Sequence, residues 1–325
     1  MNNFKKIGMT ALAASLVSTS VFAGELAVTG SASINSEGHS GVALNAGTTF
    51  SMGNQLTFTG SGELDNGMNV AVSFVIDEFD GANVASVANT GSVFDAHSVT
   101  VSSDALGSLK FSGEGGSSAS TAIDTTAAGD IWDNFDGITS VGTSPAVGVT
   151  NSDPGTNSFY YTLPSMVDGL AVNASYKPQG STAVSAIGYG VGYTGVEGLS
   201  VHYAVTDIET AAVNTSGDQT VMKATYAYGP VTVGYSVTEM DLGATDLTGD
   251  QETTSMAVSY TVSDAISVTY GTEEINLGSS ATDAEYSIIK GSYTSGGMTI
   301  SASMADGDNT AFGTGAGEDL EYWGL

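Results

Sequence analysis

The chain has 325 residues with 35 acidic against six basic side chains, neither arginine nor cysteine, and a formal charge of −29 at pH 7. So few cations exclude a partner whose phosphates must be neutralised, such as nucleic acid, and the missing cysteine excludes disulfide frameworks and thiolate metal sites. High charge can accompany disorder, but disordered chains are poor in aromatic and β-branched residues, whereas 14 Tyr, 11 Phe and recurring Val, Thr and Ile point to strands.

The N-terminus reads as an export leader. Lys5 and Lys6 precede an apolar stretch from Ile7 to about Val17, and Val21-Phe22-Ala23 sets small residues two apart ahead of Gly24. Residues 1–23 are therefore expected to be a signal peptide and 24–325 the mature domain. Two of the six basic residues leave with the leader, so four lysines face 35 acidic residues and the mature charge is −31. No later run is apolar and uncharged over the roughly 18 residues that a membrane helix needs. A membrane-embedded form must then be a closed barrel, the other structure that satisfies every backbone group in lipid.

Beyond residue 24 the dominant pattern is period-2 alternation. Met68, Val70, Val72, Phe74 and Ile76 interleave with Asn69, Ala71 and Ser73, and Leu199, Val201, Tyr203 and Val205 interleave with Ser200, His202 and Ala204. Strands are predicted near 25–34, 54–64, 68–77, 97–103, 108–114, 157–163, 170–177, 186–194, 199–208, 218–228, 231–241, 251–262, 266–276, 284–295, 298–305 and 319–325, 16 in all. Short Gly, Asn, Asp and Pro turns join alternate pairs, among them Asp65-Asn66-Gly67, Asp104-Ala105-Leu106-Gly107, Gly229-Pro230 and Gly296-Gly297. The remaining connections are read as longer, polar and acidic. A soluble sandwich explains any single strand equally well, but not this alternation of connections.

An even number of roughly ten-residue strands, with short turns on one side and long loops on the other, is the signature of an outer-membrane barrel. Tyr160, Tyr161, Tyr176, Tyr189, Tyr193, Tyr226, Tyr228, Tyr260, Tyr270, Tyr286 and Tyr293 gather towards strand ends, as interface girdles require. The expected fold is all-β, a 16-stranded antiparallel transmembrane barrel. A secreted or surface β-rich adhesin or structural protein is the alternative class.

The leader, the opening Gly24-Glu25-Leu26-Ala27-Val28-Thr29-Gly30, the Glu63-Leu64-Asp65-Asn66-Gly67-Met68 hairpin and the long loop after the fifth strand together resemble the general porins of Gram-negative bacteria, in particular the alphaproteobacterial, Rhodobacter-like branch. The resemblance implies a homotrimer in the outer membrane, in contact with lipid and lipopolysaccharide. It implies a water-filled channel for ions and small hydrophilic solutes, with the third external loop folded into the pore. A substrate-specific channel is the alternative within that class. Two features depart from the family. Its last strand usually ends in an aromatic residue, whereas this chain ends Glu321-Tyr322-Trp323-Gly324-Leu325, so a short last strand and poor assembly are expected. Its constrictions usually carry arginine, absent here, so strong anion selectivity is not expected.

The longest connection, 115–157, carries Asp124, Asp130, Asp133, Asp136 and Asp153 with Ile131, Trp132 and Phe135. A connection this long is usually functional or disordered. The expected constriction joins Asp124, Asp130, Asp133 and Asp136 on this loop to Lys110, Lys177 and Lys223, which strand parity turns towards the lumen. Lys290 is ambiguous between Ile288 and Ile289, although a lipid-facing lysine near mid-bilayer would cost about 2–4 kcal/mol. Glu239, Asp241, Asp246, Asp250, Glu252, Glu273, Glu274, Asp306 and Asp308 crowd the expected external mouth, so the pore is read as cation-preferring.

Asp130, Asp133 and Asp136 loosely resemble a calcium loop without its full spacing, so weakly bound calcium is the only cofactor considered. His39, His97 and His202 share no metal spacing, and no nucleophile elbow, phosphate loop or dinucleotide fingerprint occurs, so no enzymatic activity is expected.

Overall fold

The computed structural model describes residues 10–17, 25–41, 47–77, 94–123, 126–135, 156–178, 184–210, 216–241, 250–278, 280–310, 312 and 319–325. The strands are β1 (Thr10–Val17), β2 (Glu25–Gly41), β3 (Gly47–Glu63), β4 (Asn69–Asp77), β5 (Ala96–Ser103), β6 (Gly107–Glu114), β7 (Ser158–Thr162), β8 (Leu170–Lys177), β9 (Val184–Tyr193), β10 (Leu199–Thr210), β11 (Gly217–Tyr228), β12 (Val231–Asp241), β13 (Gln251–Ser263), β14 (Ile266–Leu277), β15 (Ala284–Ser295), β16 (Met298–Asp308) and β17 (Leu320–Gly324). From β2 onward each strand pairs antiparallel with the next, and β17 pairs back to β2 with Tyr322 opposite His39. These 16 strands form a closed barrel.

Closure separates two rows on every strand. On β14, Ile266, Val268 and Tyr270 are 41%, 39% and 54% exposed, whereas Glu273 and Ile275 on the alternate row are buried. The same split places Tyr189, Tyr203, Met222, Tyr235, Met256, Ile289 and Met304 among the exposed residues, and Ser175, Thr206, Gln219, Ser236, Thr253 and Ser255 among the buried ones. The apolar row is thus outside and the polar row inside. A soluble sandwich would bury its apolar row, so this arrangement rules out the adhesin-type core. Hydroxyls on the inner row pair across strands, as Ser259 with Thr269 and Ser267 with Ser292, both at 2.8 Å.

The predicted strands match closely, with two corrections. β2 and β3 each run to 17 residues, well past the expected 34 and 54. Their extension leaves only 42–46 between them, shorter than the 163–169 turn on the other side, so the connections do not alternate strictly in length. The extension is stabilised by β17, which pairs only with Glu37–Gly41 of β2 and Ser303–Gly307 of β16. Trp323 lies over Gly38 so closely that a Cβ there would strike the indole. Along the rest of this seam β1 pairs with Ala27–Ile34 of β2 and meets β16 at Met298 and Thr299. The second correction concerns the tyrosines. Tyr160 faces Lys110 across β6 and β7, and Tyr286 is 3% exposed, so both point inward rather than into a girdle.

The tight turns depend on residues that tolerate positive φ. Gly198 has φ +77°, and a Cβ would strike the carbonyl of Ala227, whose N–H donates to Gly198 O at 2.8 Å. Gly229 has φ +56° but open space around it. Gly198→Ala should therefore destabilise the barrel by about 2–3 kcal/mol, adding a clash to the left-handed strain, and Gly229→Ala by only about 1–2 kcal/mol. The temperature at which the folded electrophoretic form converts to the unfolded one measures both; equal shifts would contradict the assignment.

Candidate functional site

The connection 115–157 leaves β6 at Gly115, in the left-handed region at φ +67°, and its described residues pack on the polar row of the sheet. Its first part lies against β8 to β11. Ala119 N donates to Ser175 Oγ at 2.9 Å, Ser120 Oγ meets Thr206 Oγ1 at 2.8 Å, and Ser120 Oγ donates to Gln219 O at 3.2 Å. Ala119 and Ile123 close a small apolar cluster with Ala204 and Val221. Gly188 on β9 makes room: a Cβ there would lie 2.6 Å from both Ser175 Oγ and Thr206 Oγ1.

The second part, 126–135, lies against β11 to β17 and β2. Lys223 Nζ donates to Thr126 O at 2.8 Å, and Ala128 N donates to Ser255 Oγ at 2.9 Å. Ile131–Phe135 forms a single 3₁₀ turn. At its start Ile131 N and Trp132 N donate to Glu273 Oε2 at 2.7 and 3.3 Å. At its end Asn134 O accepts from His39 Nε2 at 3.0 Å, which requires the imidazole proton on Nε2. Ile131 and Phe135 are fully buried, the Phe135 ring 5.6 Å from that of Tyr286 and 6.3 Å from that of Tyr322.

Lys110, Lys177, Lys223 and Lys290 all lie on the inner row. Lys110 sits between outward Leu109 and Phe111, and Lys177 follows outward Tyr176. Lys290 shares its row with buried Ile288, while Ile289 is 52% exposed, which resolves the ambiguity. Lys223 is bonded to the loop on the wall where the loop rests, so it does not oppose the loop across an open passage. Asp130, at φ +53°, is 7% exposed and turned under the loop, its Oδ1 accepting from Thr126 Oγ1 at 2.8 Å. Asp133 is half-buried in the 3₁₀ turn, and Asp124, Asp136 and Asp153 lie outside the described residues. Among the described residues no three His, Asp or Glu side chains converge as a metal site would require.

The acidic residues expected at the mouth divide differently. Glu239, Asp241, Glu252, Glu274, Asp306 and Asp308 are exposed on the outer row, joined there by Asp218, Glu285 and Glu321. Several stand directly opposite one another, as Glu239 with Glu252, Glu274 with Glu285 and Asp306 with Glu321. Asp250 is half-buried at the edge of β13, and Asp246 lies outside the described residues. Glu273 is the exception: it is inward and 2% exposed.

The model of the Gram-negative porin family matches residues 8–311. The chain belongs to that family. Comparison with curated protein sequences gives no match. Among solved structures it is similar to an anion-selective porin from Comamonas acidovorans, at 17% identity and a TM-score of 0.68 over 93% of this chain and 98% of the other. It is similar to OmpT of Vibrio cholerae in its trimer form, at 16% identity and a TM-score of 0.63 over 93% and 98%. It is also similar to a mutant of the Rh. blastica porin, at 19% identity and a TM-score of 0.55 over 90% and 98%. The expected resemblance and the outer-membrane location therefore hold, and the exposed apolar row is the face that meets lipid.

Sequence reasoning placed Glu273 among the mouth residues and missed its role in this porin. Parity carried on from Ile266, Val268 and Tyr270 sends Glu274 outward and Glu273 inward, so the signal was present. His39, Tyr286 and Tyr322 gave no local signal, because their partners are distant in sequence. Phe135→Ala would remove the ring that fills the space between Tyr286 and Tyr322, at about 3–5 kcal/mol of local packing. Proteolysis of the folded porin should then cut within 115–157 faster than in the wild type, with the barrel intact; unchanged cutting would show that the ring does not hold the loop.

Proposed function

We propose that this porin is a general diffusion pore, a water-filled passage for ions and small hydrophilic solutes narrowed by the loop 115–157. The observation that carries the reading is the string of hydrogen bonds tying 118–135 to the inner row of β8 to β17 and β2. The inner row of β3 to β5 faces a cavity of about 410 Å³ lined by small groups such as Thr59, Ser61, Ala71, Ser73, Ser98 and Thr100. Such a wall hydrates solutes without binding one strongly.

The reading includes a moderate cation preference, on a narrower basis than net charge suggests. Asp133 and the remaining loop carboxylates favour cations within about 8–10 Å near physiological salt, while Lys110 and Lys177 oppose them. The anion selectivity named for the Comamonas porin belongs to a protein only 17% identical.

The porin works in our reading as a homotrimer, with its leader cleaved after Ala23. Support comes from the outer row. All 14 tyrosines follow residue 159, and the described strands β2 to β5 carry no outward carboxylate, so that face lacks both features of the lipid-facing one. It presents Leu26, Ile34, Met52, Leu56 and Val99 instead, a surface suited to another copy. The carboxylates of β11 to β17 suit the opposite role. Like charges directly across strands destabilise a sheet, and cations shared with lipopolysaccharide phosphates would offset that repulsion.

In planar bilayers, deleting 124–140 should raise single-channel conductance. In a salt gradient Asp133→Asn should move the reversal potential towards zero, and Lys110→Gln should move it away. Unchanged conductance in a folded deletion variant would sink the loop assignment, and a wild-type preference for chloride in dilute salt would sink the electrostatic one. Native mass spectrometry of the detergent-extracted protein should give three copies, each lacking residues 1–23, with bound lipopolysaccharide that a chelator removes. A monomer, or lipid retained after chelation, would contradict the partner assignments.

A further inference from the structure

The turn from Leu64 to Met68, between β3 and β4, carries the only Asn-Gly step in the sequence. Its backbone is fixed by two bonds, Gly67 N donating to Leu64 O at 2.8 Å and Leu64 N donating to Met68 O at 2.7 Å. Met68 N donates to a side chain instead, at 3.1 Å from Asn66 Oδ1. Leu64, Asp65, Asn66 and Gly67 are all exposed to water.

An asparagine bonded to the N–H two residues ahead must arch its side chain over the peptide in between, which brings Asn66 Cγ towards the nitrogen of Gly67. The same bond puts an N–H donor on Oδ1, where negative charge develops when Cγ is attacked. Gly67 N makes its own bond within the peptide plane, so the face of the nitrogen normal to that plane is left for the carbon. Gly67 stands at φ +79° with nothing within 4 Å of where a Cβ would sit, so no side chain crowds the approach. Every other asparagine in the sequence is followed by a residue that has a Cβ. Asn35, Asn54, Asn69, Asn173 and Asn276 are also fixed in paired strands, whose extended backbone draws the side chain away from the next nitrogen.

We propose that Asn66 is a site of self-modification, at which the folded turn converts the side-chain amide to a carboxylate without an enzyme. Hydroxide removes the proton of Gly67 N, and the nitrogen's electron pair forms a bond to Asn66 Cγ. The Cγ–Nδ2 bond then breaks, and Nδ2 leaves as ammonia with a proton from water. Water opens the cyclic imide at either carbonyl. Attack at Cγ restores the ordinary backbone as aspartate. Attack at the Asn66 backbone carbonyl carbon breaks its bond to Gly67 N and leaves isoaspartate, with the chain running through the former side chain. The sum is one water consumed and one ammonia released, with no change of oxidation state. The aspartate product still offers an acceptor to Met68 N and keeps the turn. Isoaspartate inserts a methylene ahead of Gly67 N, so the bonds from Gly67 to Leu64 and from Leu64 to Met68 no longer fit together. Ageing therefore adds a carboxylate beside Asp65 in every modified chain and loosens the hairpin in a fraction of them.

The test follows the folded, detergent-purified porin through incubation in mildly alkaline buffer. Its peptides are mapped by mass spectrometry, with aspartate and isoaspartate separated by chromatography. Position 66 should gain the amide-to-acid mass change as both products. It should do so about tenfold faster than any other asparagine, since one donor on a developing oxyanion lowers a barrier by that order even at an exposed site. The same chain unfolded in denaturant should react more slowly at 66, because nothing then holds the side chain over the nitrogen. Asn66→Gln, which would have to close a larger ring, should stay unmodified while keeping the parent's heat-modified migration. Aspartate alone at 66 would mark direct hydrolysis and overturn the imide route. A folded rate at or below the unfolded one would show that the hairpin protects the amide, and a rate no higher than at other asparagines would show that the turn does not activate it; either result overturns the proposal.

Discussion

A backbone in lipid must find every hydrogen-bond partner within the protein, and this requirement governs the rest of the molecule. It forces the sheet to close, which here depends on the short pairing of β17 with β2. Closure then fixes the sense of every side chain, because a pleated strand has only two faces and one of them now meets lipid. Residues such as Tyr189, Met256 and Ile289 go outward for that reason, and the serines and threonines between them are left to line the interior.

The polar inner row explains how an irregular segment can be held against the sheet chiefly by hydrogen bonds. An apolar wall would offer nothing to the N–H and C=O groups of an irregular segment, which would then be buried unsatisfied. Ser175, Thr206, Ser255 and Glu273 supply partners at the heights where Ala119, Ser120, Ala128 and Ile131 pass. Close approach needs small residues as well, and Gly188 and Gly271 supply it, the latter beside Ala128. Packing adds to these bonds where Ala119 and Ile123 meet Ala204 and Val221, and it takes over at the 3₁₀ turn, with Phe135 set among wall aromatics.

The strands were legible because alternation is a local signal that lipid enforces along the whole barrel. The outer ends of β2 and β3 were not, since Ser36-Glu37-Gly38-His39-Ser40 shows no apolar alternation and becomes strand by pairing with β17. The third loop was recognisable by length, but its resting place was not. Its hydrogen-bond partners on the wall sit 56 to 142 residues away in the chain, and nothing local to Ser175 or Ser255 distinguishes them from other inner-row hydroxyls. Asp130 was read as a lining carboxylate because acidity was visible and orientation was not. Tyr286 was read as a girdle residue for the same reason.

Charge shows most clearly why composition and location must be kept apart. The chain carries −29, yet the exposed carboxylates of β10 to β17, from Asp207 to Glu321, stand on the outer row, and Lys110, Lys177, Lys223 and Lys290 stand on the inner one. Desolvation explains why no lysine faces lipid at mid-bilayer, but its penalty falls to about 0–1 kcal/mol near the interfaces. A lysine among Glu239, Glu252, Glu274 and Glu285 would relieve their repulsion at almost no solvation cost, and among the described residues none is there. The negative rim is therefore a property of the membrane-facing surface and is separate from the inner row that carries the lysines. In the pore as proposed, the field felt by a permeating ion is set separately, by Lys110, Lys177 and Asp133 of the loop.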